Sequence, residues 1–185
     1  MSTIICNKEN IILNKFDTNH FSLLFSLHNK NNLDIIKFIN VKLFKLVASI
    51  NKEIIESVEI INEVSDTEVD ILYKFKRFGK ELGFSDKYMF IKSRMIIEEN
   101  DIFIKTVSIP YTNKIVGEAI TNEYGYFKIS NNQNNKEVTI NYEFKMDIHE
   151  ELPIYMENIF GLMMKKIFLN FKSFIENVDI HNINV

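Results

Sequence analysis

The 185-residue sequence predicts an α+β fold in which a curved antiparallel sheet buries one face against a single long C-terminal helix. Leu152–Val178 repeats apolar residues at helical spacing, whereas the region from Ser57 to Asp147 breaks into strand-length runs bounded by turn residues. Composition sets the scale: with 46% hydrophobic and 25% charged residues and no dividing linker, residues 1–185 read as one domain with a sizeable core.

Taken in order, Ile11–Phe16 and Phe21–Leu27 read as strands joined by the turn residues Asp17-Thr18-Asn19. The second alternates Phe21, Leu23, Phe25 and Leu27 on one face. After the apolar segment Ile35–Ile39 the period changes, and Leu43, Phe44, Val47 and Ile50 share one face of a helix over Val41–Ile50, with Asn40 suited to cap it. A further helical turn is expected around Lys52–Glu56. Strands follow at Ser57–Val64, Glu68–Lys76, Tyr88–Ile97, Ile102–Ile109, Lys114–Ser130 and Glu137–Asp147, all rich in β-branched or aromatic residues. Lys114–Ser130 is too long for one flat strand and is expected to bend near Gly125. The polar tracts Asn29–Asn32 and Asn131–Lys136 read as loops. In the last strand Val138, Ile140, Tyr142, Phe144 and Met146 face one way. Tyr142 thus stands on the buried face, its hydroxyl either bonded to nearby backbone or presented to a ligand.

The closing helix carries Met156, Phe160, Met163, Ile167, Phe171 (or Asn170), Phe174 and Val178 on one stripe. Pro153 suits a first-turn position, where its missing N–H costs nothing, and Glu150, Glu151 and Glu157 suit the positive end of the dipole. A helix from Pro153 to Val178 would be about 39 Å long. Gly161 weakens its middle by about 1 kcal/mol relative to alanine. Glu157, Lys165, Lys166, Lys172 and Glu176 interrupt the apolar run that a membrane span requires. The helix therefore docks on the sheet, either as plain core or as the lid of an apolar cavity.

Several chemistries find no support. A formal charge of −3 gives no global attraction to nucleic acid, and the basic-aromatic run Tyr73–Lys80 reads first as a solvated strand end. Secondarily, it could touch anionic lipid headgroups. Cys6 is the only cysteine, so no intramolecular disulfide is expected, and MSTIICNKEN lacks the pattern of a secretory signal. A cytoplasmic location is the default expectation. No GxGxxG or GxxxxGK pattern is present, and His149-Glu150-Glu151 lacks the second histidine of a zincin helix. Cys6, His20, His28 and His181 suggest no nucleophile–base pair, so no catalytic residue, cofactor or metal is assigned.

The later strands and the helix resemble a START domain, the steroidogenic acute regulatory protein-related lipid transfer module of the helix-grip fold. The resemblance rests on Ser85-Asp86-Lys87-Tyr88-Met89-Phe90, on Lys105-Thr106-Val107 followed by Pro110, and on Tyr124-Gly125-Tyr126-Phe127-Lys128-Ile129. It ends on Asp147, then Leu152-Pro153 and the amphipathic helix. Gly117 stands where the family commonly has an arginine.

The resemblance implies about nine antiparallel strands wrapped around the C-terminal helix, with one lipid held between them and carried between membranes. A phospholipid or related lipid is the expected ligand, with transient membrane contact, a monomeric state and no nucleic-acid partner. The residues expected at the lipid are Lys92, Arg94, Ile104, Ile140, Tyr142, Phe144, Met156, Phe160, Met163 and Ile167. Tyr142 matches a ligand-facing tyrosine of ceramide-transferring relatives, and Ile104 falls where those relatives use an asparagine. Matching to phospholipid- and sterol-binding relatives turns Lys92 inward, whereas strand alternation puts Met89, Ile91, Met95 and Ile97 inside instead. Rival readings are a helix-grip enzyme, a cyclase or hydrolase acting on a bulky apolar molecule, and a ligand-free interaction module.

Overall fold

The computed structural model describes residues 2–31, 33–40, 43–76, 85–132, 136–149, 152 and 156–179. The chain runs β1 (Thr3–Lys8), β2 (Ile11–Asp17), β3 (His20–His28), a 3₁₀ turn (Ile35–Phe38), α1 (Leu43–Ile50), β4 (Ile55–Ser65) and β5 (Glu68–Phe75). It continues through β6 (Lys87–Glu98), β7 (Asp101–Ser108), β8 (Glu118–Ala119), β9 (Thr121–Asn131), β10 (Glu137–Asp147) and α2 (Ile159–Asn177). Nine antiparallel strands form one curved open sheet in the order β1-β2-β3-β10-β9-β7-β6-β5-β4, and two-residue β8 pairs parallel to β6. The inner face packs on α2, giving the expected helix-grip arrangement.

Alternation decides which side chains enter the core. Phe21, Leu23, Phe25 and Leu27 on β3 are buried, as are Val138, Ile140, Tyr142, Phe144 and Met146 on β10. These two strands are neighbours inside the sheet, with Phe21 opposite Phe144 and Leu23 opposite Tyr142. On β6 the buried face is Lys87, Met89, Ile91, Ser93 and Met95. Ile97, expected on that face, is exposed because β6 has run past the core into its turn with β7.

Thr3–Lys8, which shows no core-facing alternation in the sequence, forms an edge strand on β2. Three local expectations need correction. The helical turn expected around Lys52–Glu56 is confined to residues 52–54, with the Ile54 and Ile55 N–H groups bonded to the Asn51 carbonyl, because β4 already begins at Ile55. Lys114–Ser130 is divided between β8 and β9, and it breaks at Ile120 and not at Gly125, which lies within the β9 ladder opposite Thr106. Finally, α2 begins at Ile159, so its 19 residues span about 28 Å. Met156 precedes it in a turn. Pro153 at the helix start, the acidic residues Glu150 and Glu151, Val41, the Arg77–Lys80 part of the basic-aromatic run and His181 lie outside the described residues.

α2 is fixed most firmly through its C-terminal half. Asn29, fully buried within a predicted loop, donates through Nδ2 to the Ile175 carbonyl at 2.6 Å and the Val178 carbonyl at 3.0 Å. Its Oδ1 accepts from the Asn31 and Leu33 N–H groups. Lys172 Nζ donates to the Ser26 carbonyl at 2.6 Å, and Asn51 Nδ2 reaches the Ile167 carbonyl at 3.3 Å. Toward the N-terminal half, Gly161 presses on Phe21: a Cβ there would stand 2.7 Å from the ring. Two ion pairs, Lys165–Glu9 at 2.9 Å and Lys15–Glu157 at 2.6 Å, tie this end to β2 and the β1–β2 turn. Among the described residues no helix is long and apolar enough to cross a membrane.

Candidate functional site

Between α2, α1 and the inner face of the sheet lies a hollow of about 80 Å³. Six of the residues expected at a lipid line it: Ile104 from β7, Ile140 and Tyr142 from β10, and Phe160, Met163 and Ile167 from α2. Strand alternation and helical periodicity turn these side chains toward one another. Leu43, Phe44 and Val47, which share the apolar face of α1, border the same space, although the sequence reading did not place them at the lipid. The lining is apolar apart from Tyr73, Thr106, Asn122 and Tyr142, and no charged side chain occurs among its described residues.

The other four expected residues lie elsewhere. Phe144 is fully buried behind the hollow, 4.8 Å from the Tyr142 ring and 5.7 Å from Phe21 between centroids. Met156 falls in the turn before α2 and outside the lining. Lys92 and Arg94 point away from the hollow, with side chains 42% and 68% exposed. Lys92 Nζ lies 3.3 Å from Glu68 and 3.9 Å from Asp70, while Arg94 Nε is 3.9 Å from Glu68. Period-two geometry is the reason: once Ile91, Ser93 and Met95 face inward, Lys92 and Arg94 must face outward. The inward orientation implied by the family match is therefore corrected.

Tyr142 is held by stacking. Its ring lies 3.7 Å from that of Phe127 at 4° between planes and 5.3 Å from that of Phe168. Burial pushes the phenols of Tyr142 and Tyr73 well above the ordinary tyrosine range, so both are neutral hydrogen-bonding groups. Gly125 creates room beside Tyr142: a Cβ there would stand 2.3 Å from Thr106 Oγ1 and 3.4 Å from Tyr142 Oη. Both oxygens therefore border the same gap.

Asn122 is the residue that sequence reasoning missed. Simple alternation from Gly125, Phe127 and Ile129 would turn it outward. A bulge intervenes: Lys145 pairs with Tyr124, but Met146 pairs with Asn122, so Glu123 is skipped. Asn122 is turned inward and is 1% exposed. Its Nδ2 donates to Thr106 Oγ1 at 2.9 Å and its backbone N–H donates to Ser108 Oγ at 2.8 Å.

A second opening adjoins the hollow. This groove, of about 360 Å³, is bordered by Ile54, Leu162 and Met163, with Glu53, Lys76 and Lys166 among its charged residues. Phe75, Ile120, Phe160 and Met163 border both spaces. Lys166 lies 3.1 Å from Glu53 and holds that carboxyl below its usual range, aided by Asn170. Leu162 is 46% exposed at this rim.

Other titratable groups are engaged in the scaffold. On the outer face, Tyr124 Oη donates to Glu143 Oε1 at 2.9 Å, and His20 Nε2 lies 2.6 Å from the phenol and 2.9 Å from the carboxylate. Burial, then the bond to Glu143, pushes Tyr124 up to about 12. Buried Lys87 donates to Glu118 at 2.7 Å and to the Ile148 carbonyl at 3.2 Å. Gly117, just before Glu118, has φ +113° and meets Asp86 so closely that a Cβ would stand 2.4 Å from its carbonyl oxygen. An arginine, the family's common residue there, would be strained at that position. No group of three or more His, Cys, Asp or Glu side chains able to hold a metal occurs among the described residues.

No known protein-family profile matches this sequence, and neither does any curated protein sequence. Solved structures do match. The lipid transfer and protein localization domain of human StarD13 superposes with a TM-score of 0.77 at 6% identity, over 96% of this chain and 90% of that one. Human StAR-related lipid transfer protein 5 gives 0.73 at 13% identity, over 94% and 86%. A STAR-related lipid transfer protein fragment from Xanthomonas axonopodis gives 0.66 at 10% identity, over 94% and 96%. The chain has a START-like helix-grip fold. Its structural neighbours include lipid-transfer domains.

Proposed function

We propose that this protein binds a single lipid between its sheet and α2 and carries it between membranes. The observation that supports this most is the uncharged hollow against α2, where Ile104, Ile140, Phe160, Met163 and Ile167 offer an apolar surface suited to lipid chains. Its volume of about 80 Å³ is below the roughly 300–1,000 Å³ of small-molecule sites, so loading requires the lining to give way. Met163 and Met164 are suited to this, because methionine has several rotatable bonds and a polarizable thioether. Access would run through the adjoining groove, with Leu162 meeting the bilayer interior and Lys76 and Lys166 its anionic headgroups. Phospholipid is no longer the favoured ligand, because Lys92, the residue behind that expectation, is paired on the outer face.

The small volume favours one rival, a ligand-free interaction module with a filled core. One experiment separates them. Purified protein is extracted with organic solvent, the extract is analysed by mass spectrometry, and transfer of fluorescent lipids between vesicles is followed. Close to one lipid per protein, or transfer above the protein-free rate, is the expected result. Neither stoichiometric lipid nor transfer over a panel of phospholipids, sterols and diacylglycerols would leave the interaction module.

A further inference from the structure

Asn122 presents an unpartnered polar atom inside an apolar space. Its Oδ1 is sealed from solvent and has no hydrogen-bond partner, while the side chain lines the hollow. Buried amides are ordinarily satisfied, since a lone acceptor costs about 1–3 kcal/mol. The bulge that skips Glu123 aims this residue inward, and bulges recur where a strand must redirect one side chain. Turning the amide over does not remove the deficit. Thr106 Oγ1 can then donate to the oxygen, and the amide nitrogen is left alone.

We propose that Asn122, with Thr106 and Tyr142 beside it, forms the ligand-reading end of the hollow and selects an uncharged lipid that presents a hydroxyl group. This rests on the lipid-carrier reading above and specifies its ligand class. A hydroxyl both donates and accepts, so it completes the amide in either orientation. Thr106 Oγ1 and Tyr142 Oη border the gap left by Gly125, giving the same hydroxyl further partners. A phosphate would have no cation to meet, because no charged side chain occurs among the described lining residues. A quaternary ammonium would have no carboxylate. Sterols and diacylglycerols both carry the required group on an apolar body.

The test uses paired probes differing only at that group: cholesterol against its methyl ether, and dioleoylglycerol against its acetylated form. Phosphatidylcholine serves as the charged control. Wild-type protein is expected to bind at least one hydroxylated probe ten-fold or more tightly than its capped partner. Asn122→Leu, which keeps the volume and removes the polar end, should abolish that preference while still binding the capped probe. Its thermal midpoint should stay close to that of wild type, because removing the unsatisfied amide oxygen offsets the loss of the hydrogen bond to Thr106. Thr106→Val provides a second variant, expected to reduce the same preference. Equal binding of both members of each pair by wild type would overturn the hydroxyl reading and leave lipid carriage standing. A preference unchanged in both variants would overturn the assignment to Asn122. Binding of no probe, charged control included, would overturn both readings together.

Discussion

Lys92 is the residue whose position most changes the ligand argument. It stands outside the sheet beside Glu68 and Asp70, and Asp70 Oδ2 also accepts from Asn62 at 3.2 Å. Lys92→Met should leave lipid loading unchanged and lower stability by about 1 kcal/mol, because a mostly buried carboxylate loses its nearby cation. Equilibrium denaturation and loading on the same preparation check both halves; selective loss of a phospholipid would restore an inward lysine. Much of the lining was legible because it obeys a single period. Ile104, Ile140 and Tyr142 follow strand alternation, and Phe160, Met163 and Ile167 follow the helical one. For Lys92 the family correspondence and the strand's own alternation pointed opposite ways, and the alternation holds. Asn122 was hidden because a bulge breaks the period at that point, and which residue a strand skips depends on pairing with β10.

At the scale of elements, α2 is held asymmetrically. Amide and lysine contacts to main-chain carbonyls gather from Ile167 onward, whereas the first turns rest on Phe21 and on ion pairs with partly exposed partners. Gly161 permits the close approach to Phe21, so Gly161→Ala sets a helix-propensity gain of about 1 kcal/mol against a steric clash with a fully buried ring. Overpacking of this kind costs about 1–3 kcal/mol, so the net expectation is destabilisation of up to about 2 kcal/mol. Thermal denaturation checks it; a higher midpoint would mean that the first turn of α2 can lift from β3 without loss. The existence of α2 was legible from its apolar stripe, but its start was placed too early because Met156 continues the spacing in a segment that forms a turn. β1 was not legible for a related reason. An edge strand with an exposed pattern owes its place to pairing with β2, and such pairing leaves no local hydrophobic period.

The whole molecule poses a problem of volume. Nine strands and a helix enclose an apolar space of about 80 Å³, while an adjoining groove of about 360 Å³ borders it through Phe75, Ile120, Phe160 and Met163. Carriage of a lipid would therefore require the two spaces to merge where Phe160 and Met163 of α2 meet Phe75 at the end of β5 and Ile120. Filling the hollow should oppose that change. Ile104→Phe adds a ring at the wall facing α2, where the hollow can accept part of the extra volume. Cavity filling commonly stabilises a domain by about 0.5–2 kcal/mol, so the variant should keep or raise its thermal midpoint while lipid loading falls at least ten-fold by order of magnitude. Loading must be measured on the folded fraction, which separates a blocked hollow from a strained core. If Ile104→Phe folds and loads like wild type, the lipid does not pass between β7 and α2. The carrying surface would then have to be sought in the groove, where Leu162 and Lys166 stand on the accessible side of the helix.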